Sequence, residues 1–216
     1  MLLIKTNKDT LLKPLQTVTG IVERRQTLPI LSNVLIQQNQ EKTSFLTTDL
    51  EIQIKTTTVH DSSDHPNFSL TVAAKKLQDI LRSLAGDPEV TLTRKDDHLQ
   101  VKSGHSAFNL QSLPAEDSPE IAEEAKSEVV VTLKQKDLKK LLHHVQFAVA
   151  QQDIRYYLNG LLLLIEQQHL IGVGTDGHRL AYIANDLDGN HDKQEVILPR
   201  KAVFELSKLL SDSDDP

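Results

Sequence analysis

Apolar positions along the chain follow two rhythms. Between Lys8 and Val22 they fall at Leu11, Leu12, Leu15, Val18, Ile21 and Val22, the three-to-four spacing of one helical face. Pro14 interrupts this stripe and either kinks the helix or moves its start. A second helix is predicted over Lys75–Leu84, ended by Ala85-Gly86-Asp87-Pro88. Elsewhere the period is two. Asn33–Gln37, Thr43–Thr48, Glu51–Val59 and Phe68–Ala73 read as strands between polar turns, with Ile52 and Ile54 alternating against Glu51, Gln53 and Lys55. Val90–Thr93, Leu99–Lys102 and Ala107–Gln111 continue the series. Two short helices among about eight strands predict an α+β module, with helices packed on antiparallel sheets, and exclude an alternating parallel α/β fold.

The pattern then repeats. Leu11-Leu12-Lys13-Pro14-Leu15 with Val18 and Val22 matches Leu138-Lys139-Lys140-Leu141-Leu142 with Val145 and Val149, 127 residues further on. Thr48-Asp49 recurs as Thr175-Asp176 at the same offset. Leu31-Ser32-Asn33 recurs as Leu158-Asn159 at 126, and Lys75-Lys76 with Leu81 and Leu84 as Arg200-Lys201 with Leu206 and Leu209 at 125. Four matches in order at nearly one offset indicate tandem copies of one module, over 1–127 and 128–216. The second copy stops at Pro216, just past the helix that matches Lys75–Leu84, in an acidic Ser211–Asp215 stretch. A copy lacking its last strands leaves a sheet edge open, so the expectation is a piece of a longer protein with its second module incomplete.

Composition narrows the chemistry. The absence of cysteine excludes a disulfide scaffold, a thiol nucleophile and a cysteine-based metal site. The longest apolar run, Leu161–Ile165, falls far short of the ~18 residues of a membrane span, and Met1–Lys5 does not read as a signal peptide. A cytoplasmic chain without a membrane partner is expected. The net charge of −6 argues against a nucleic-acid partner when taken whole. By position the charge is segregated. Windows 8–25, 75–84, 134–155 and 199–210 carry +2, +2, +3 and +2, leaving −15 on the rest. Lysine and glutamate have similar helix propensity, yet these helices took lysine. Such segregation suits sequence-independent contact with phosphates. At 4% aromatic residues there is no stacking platform for single strands, so duplex DNA is the expected partner.

Gly172-x-Gly174-x-x-Gly177 has the spacing of a dinucleotide fingerprint and raises the alternative of a nucleotide-binding oxidoreductase. That chemistry needs a helix after Gly177. Leu180, Tyr182 and Ala184 alternate like a strand instead, and the first copy has Phe45–Leu50 there without glycine. Strand–turn–strand is the better reading. His143-His144 are neighbours that do not share a helix face, and Asp176 with His178 lacks a third ligand. Asp137 and Asp153 read as a cap and a turn residue, and Glu123-Glu124 as a solvated linker. No catalytic site, cofactor or metal is expected.

Several blocks resemble the beta sliding clamp family, the processivity subunit of bacterial DNA polymerase III. They are Leu11–Leu15, Thr27–Asn33, Thr48–Glu51, Gln152–Gly160, Thr175–Ala181 and Leu198–Lys201. The resemblance implies a non-catalytic protein of three modules per subunit, with two subunits closing head-to-tail into a homodimeric ring. Helices line the hole and sheets form the outside; this chain would end inside the second module, with the third absent. It implies DNA-facing positions at Arg25, Lys75, Gln152, Tyr156, Arg200 and Lys201. It also implies a pocket for short linear peptides of the polymerase III catalytic subunit, the clamp loader and other polymerases or repair proteins. That pocket falls on Arg155, Tyr157, Leu158, Thr175, Gly177, His178, Arg179 and Leu180, with Leu158 and Leu180 as its floor. A plain structural turn is the alternative for Thr175–Leu180. The ring contact falls on Lys76, Phe108 and Leu110, with Phe108 and Leu110 expected to face outward; core packing is the alternative for Phe108.

Overall fold

A computed structural model describes residues 1–22, 28–39, 42–59, 66–121 and 131–216. The chain divides into two compact units, Met1–Glu123 and Glu124–Pro216.

In unit 1, β1 (Leu2–Asn7) runs directly into α1 (Lys8–Val18), and β2 (Asn33–Asn39), β3 (Lys42–Thr48), β4 (Gln53–Val59) and β5 (Phe68–Ala73) follow. β5 runs straight into α2 (Ala74–Ser83), and β6 (Glu89–Lys95), β7 (His98–Ser103) and β8 (Ser106–Leu113) complete the unit. All pairings are antiparallel, in the order β1-β6-β7-β8-β5-β2-β3-β4. Among the described residues the two four-stranded halves pair through Thr71↔Leu113 and Val72↔Ser112.

Both helices lay their apolar stripes on this sheet. Leu11, Leu15 and Val18 of α1 and Leu77 and Leu81 of α2 share one core with Val34, Ile36 and Phe45 from one half and Leu92, Leu99 and Val101 from the other. Pro14 lies within α1, so the stripe is kept at the loss of the donor that would have met the Thr10 carbonyl. The helix ends at Val18 and a 3-10 turn, Thr19–Ile21, carries the apolar face onward. Buried Gln78 donates to the Thr19 hydroxyl at 2.6 Å, so its buried amide has a partner.

Unit 2 contains α3 (Gln135–Val145), a long hairpin of β9 (Gly160–Thr175) and β10 (Leu180–Pro199), and α4 (Arg200–Leu209). As with β5 and α2, β10 runs straight into α4. Leu141, Leu142 and Val145 of α3 meet Leu161 and Leu170 of the hairpin and Val203 of α4 in a second core. At its far end the hairpin leaves an apolar cavity of about 740 Å³ lined by Leu133, Leu138, Leu163, Ile165 and Val196.

One expectation from the sequence is met here and one changes. Gly172 and Gly174 serve helix–strand packing: a Cβ on Gly172 would stand 2.6 Å from Leu141 Cδ2, and one on Gly174 2.3 Å from the Val145 carbonyl oxygen. β10, not a helix, follows Gly177, as the strand–turn–strand reading expects, so no helix N-terminus is aimed at a pyrophosphate and the dinucleotide alternative falls. Leu110 does not face outward but is 6% exposed in the core of unit 1, and partly buried Phe108 packs against that core. On β8 the outward positions are Ala107, Asn109 and Gln111.

Candidate functional site

The same turn is built twice. In unit 1 the Asp49 carboxylate accepts from the amides of Glu51 (3.1 Å) and Ile52 (2.9 Å), while the Thr48 hydroxyl donates to the Ile52 carbonyl at 2.9 Å. In unit 2 the Asp176 carboxylate accepts from the amides of His178 (3.0 Å) and Arg179 (2.9 Å), and the Thr175 hydroxyl donates to the Arg179 carbonyl at 2.8 Å. The repeated Thr-Asp pair is therefore a local device, an aspartate folding the backbone around itself and a threonine closing the ring. These backbone amides hold the Asp176 carboxyl below the usual carboxylate range. Position three of the turn is left-handed in both copies, Leu50 at φ 79° and Gly177 at φ 85°.

What differs is the neighbour. A Cβ on Gly177 would lie 3.0 Å from Nη2 and 3.3 Å from Nη1 of Arg155. Leu50 shows that the turn itself accepts a side chain, so glycine in unit 2 answers to the guanidinium packed on it.

Arg155 is held there by its own loop. Its Nε and Nη2 each donate to the Asp153 carboxylate at 3.0 Å, and its amide does so at 2.8 Å. That contact, led by the guanidinium, takes the Asp153 carboxyl down to about 2. Asn159 ties the loop shut: its side chain accepts from the Asp153 amide and donates to the Asp153 carbonyl, both at 2.8 Å. A 3-10 turn, Tyr156–Asn159, then leads into β9. Asp153, read from the sequence as a turn residue, and Asn159, not singled out there, are the positioning residues. The Asp-x-Arg spacing was visible, but its partner turn lies some twenty residues away.

Of the sequence-predicted peptide-pocket residues, the structure thus brings Arg155, from the loop before β9, onto Gly177 in the Thr175–Leu180 turn between β9 and β10. Leu158 is buried, but Leu180, expected beside it in a floor, is 66% exposed, as is half of Tyr157. Arg179 donates to Asp176 at 3.0 Å and stacks 5.6 Å from the centre of the exposed Phe147 ring. Thr175 and His178 are fixed by the turn. The result is a surface of exposed aromatic and aliphatic groups near two guanidinium groups, each paired with an aspartate of its own loop.

The predicted DNA-facing residues are dispersed. Arg25 lies outside the described residues. Tyr156 is 82% exposed and stands edge-on to Tyr157, and Gln152 is exposed at a left-handed backbone position. Lys75 and Lys76 open α2, half-buried and exposed respectively. Arg200 and Lys201 open α4. Arg200 donates to the Val149 carbonyl at 2.8 Å and lies 4.8 Å from the centre of the Phe204 ring, so much of its hydrogen bonding is directed inward. Among the described residues no three His, Cys, Asp or Glu side chains gather to hold a metal ion, and no helix is long and apolar enough to cross a membrane.

Tandem units in which paired helices lie on antiparallel sheets define the clamp class of fold. Residues 2–122 match the model for the DNA polymerase III beta subunit N-terminal domain, and residues 132–216 that for its central domain; the chain belongs to this family. It is 43% identical over 208 residues to the beta sliding clamp of Pseudomonas aeruginosa, covering 96% of this chain and 56% of that one. With the Haemophilus influenzae beta sliding clamp it shares 41% over 210 residues, 97% of this chain and 57% of the other. The crystal structure of the DNA polymerase III subunit beta from Pseudomonas aeruginosa superposes with a TM-score of 0.92 at 41% identity, over 99% of this chain and 58% of that one. The chain thus spans less than three-fifths of the length of these relatives.

Proposed function

We propose that this chain works as part of a cytoplasmic sliding clamp, a ring around duplex DNA that tethers the replicative polymerase and contributes no catalytic group. The observation that carries the reading is the difference between the two Thr-Asp turns. Unit 1 has Leu50 where unit 2 has Gly177 under Arg155, so one copy of a duplicated turn has been specialised, beside Tyr157 and Leu180. A short peptide from the polymerase III catalytic subunit, the clamp loader or another polymerase or repair protein is the occupant this surface fits. The DNA-facing role goes to Arg25, Lys75, Gln152, Tyr156, Arg200 and Lys201. Scattered cations directed at the phosphates support a weak hold that lets a ring slide.

Ring closure with a second subunit belongs on β8. Among the described residues its Ser106–Gln111 stretch pairs with β7 alone, leaving the other edge with unpaired backbone groups, the template a partner strand needs. Phe108 and Leu110 then contribute by stiffening the strand from inside, and exposed Lys76 lies on the helix packed beside it.

Titrating the chain with the C-terminal peptide of a polymerase III catalytic subunit tests the tether. Saturable binding that falls about tenfold or more in Arg155→Ala is expected, an exposed charge-assisted contact of the stronger kind. Equal binding by both proteins overturns the assignment. For DNA, Arg25→Ala with Lys201→Ala lowers affinity for duplex without lowering the melting temperature; unchanged affinity overturns that face.

A further inference from the structure

The N-terminus of α3 is closed by chain from the far end of unit 2. The amides of Gln135 and Lys136 donate to the carbonyls of Asp215 (2.8 Å) and Ser213 (3.2 Å), and the Gln135 side chain accepts from the amide and hydroxyl of Ser211, both at 3.0 Å. Unit 1 has the same cap 127 residues earlier, where the Lys8 amide donates to the Pro88 carbonyl at 2.9 Å. Closing a helix N-terminus with the segment after the next helix is therefore common to both copies.

The charges laid on that cap are not common to both. In unit 2 Asp214 pairs with Lys136 and lies 3.7 Å from Lys134, and Asp212 pairs with Lys139 at 2.9 Å. At the matching positions unit 1 has Asn7, Asp9 and Leu12 for the lysines, and Ala85 and Asp87 for the aspartates. Asp87 there accepts instead from the Asp9 amide at 2.8 Å. The Asp214 carboxyl is held below, and the Lys136 ammonium above, its ordinary range by their mutual contact. So three of the five cations in the most basic window of the sequence already face carboxylates of the Ser211–Asp215 stretch, which a running charge count could not register.

A carboxylate on a lysine ammonium is the contact a DNA phosphate oxygen would make. We propose that Ser211–Asp215 is an internal cover on the α3 lysines, occupying Lys134, Lys136 and Lys139 in place of phosphates and so limiting how tightly this unit holds duplex DNA. The inference rests on the DNA-contact reading above. The cover is anchored by uncharged bonds, so it stays in place while its exposed ion pairs, individually weak and sensitive to salt, exchange with phosphate.

Asp212→Asn with Asp214→Asn removes both carboxylates and keeps the Ser211–Gln135 and carbonyl bonds. Binding of the chain to a duplex oligonucleotide is measured by fluorescence anisotropy across a salt series. Affinity at low salt is expected to rise about three- to tenfold, with the slope of log K against log salt steepening by about two to three released counterions. Adding Lys134→Gln, Lys136→Gln and Lys139→Gln to that variant should remove the gain, while the same three changes in the wild type should leave affinity almost unaltered. A gain that survives loss of the lysines is a general charge effect and overturns the proposal, as does measurable wild-type binding with no gain. Wild-type protein that shows no salt-dependent DNA binding overturns the DNA-contact reading instead, a separate and recognisable result.

Discussion

The Arg155 guanidinium rests on the bare α-carbon of Gly177, so that a Cβ there would stand 3.0 Å from Nη2 and push the guanidinium back by a few tenths of an ångström. Since Leu50 holds the same backbone corner in unit 1, left-handed geometry does not by itself demand glycine. Gly177→Ala should therefore act in two ways: a loss of about 1 kcal/mol from the positive φ, and displacement of Arg155. The reciprocal change, Leu50→Gly, should stay within about 1 kcal/mol of wild type, relief of the corner offset by chain entropy. Thermal melts of both, with peptide titration of Gly177→Ala, check this. Equal peptide affinity in Gly177→Ala and wild type would show that the close approach has no functional content.

The Asp153–Arg155 pair predicts a pH window. A folded-state carboxyl held at about 2, below its ordinary value of 3.8, contributes stability that is complete above the ordinary value and is lost as pH falls through about 2. The Arg155 position should thus be constant from neutral pH down to about 5. NMR titration of the Asp153 carboxyl should give a midpoint near 2 in the wild type and one moved up toward 3.8 in Arg155→Ala. Coincident midpoints would mean that the guanidinium does not set the acidity.

Much of this was legible in the residue order because the governing interactions are local. The Thr-Asp turns are folded by side chains two to four residues from the backbone they hold, so a repeated dipeptide announced a repeated structure. Helical stripes were equally plain. What escaped was set by distance or by the choice of face. Alternation on β8 grouped Phe108 with Leu110 but could not say that their side was the core. β1 went unread because a bulge between Leu2 and Ile4 buries Leu3 and Ile4 together and breaks the period. β9 runs on through a polar, exposed Glu166–His169 stretch, where no apolar alternation marks a strand. The cover on α3 joins residues more than seventy positions apart.

Gly172 and Gly174 matter for packing, and this too can be measured. A Cβ at Gly174 meets the Val145 backbone, which cannot turn aside as a side chain can. Gly174→Ala should cost about 3 kcal/mol, the upper range for overpacking, and Gly172→Ala less, because its obstacle is the end of the Leu141 side chain. Unfolding by urea ranks the two. Nicotinamide dinucleotides should not shift the melting temperature; a shift abolished by Gly174→Ala would restore the discarded reading.

Leu158 and Leu180, paired in expectation as one pocket floor, should separate under mutation. Leu158 is 8% exposed, and its amide and carbonyl are tied to the Arg155 carbonyl (2.9 Å) and the Ala150 amide (3.0 Å). Leu158→Ala removes buried methyl groups from beneath the Arg155 loop and should cost about 2–4 kcal/mol. Leu180 begins β10 with 66% of its surface in water, so Leu180→Ala should leave stability within about 0.5 kcal/mol. If Leu180 meets the partner peptide, that neutral change should still weaken binding about fivefold or more, because an apolar group exposed in the free protein contributes only when something covers it. The decisive outcome is the combination of an unchanged melting temperature and a weakened peptide. Loss of stability without loss of binding would make Leu180 a packing residue of the hairpin and move the partner surface to Tyr157 and Phe147.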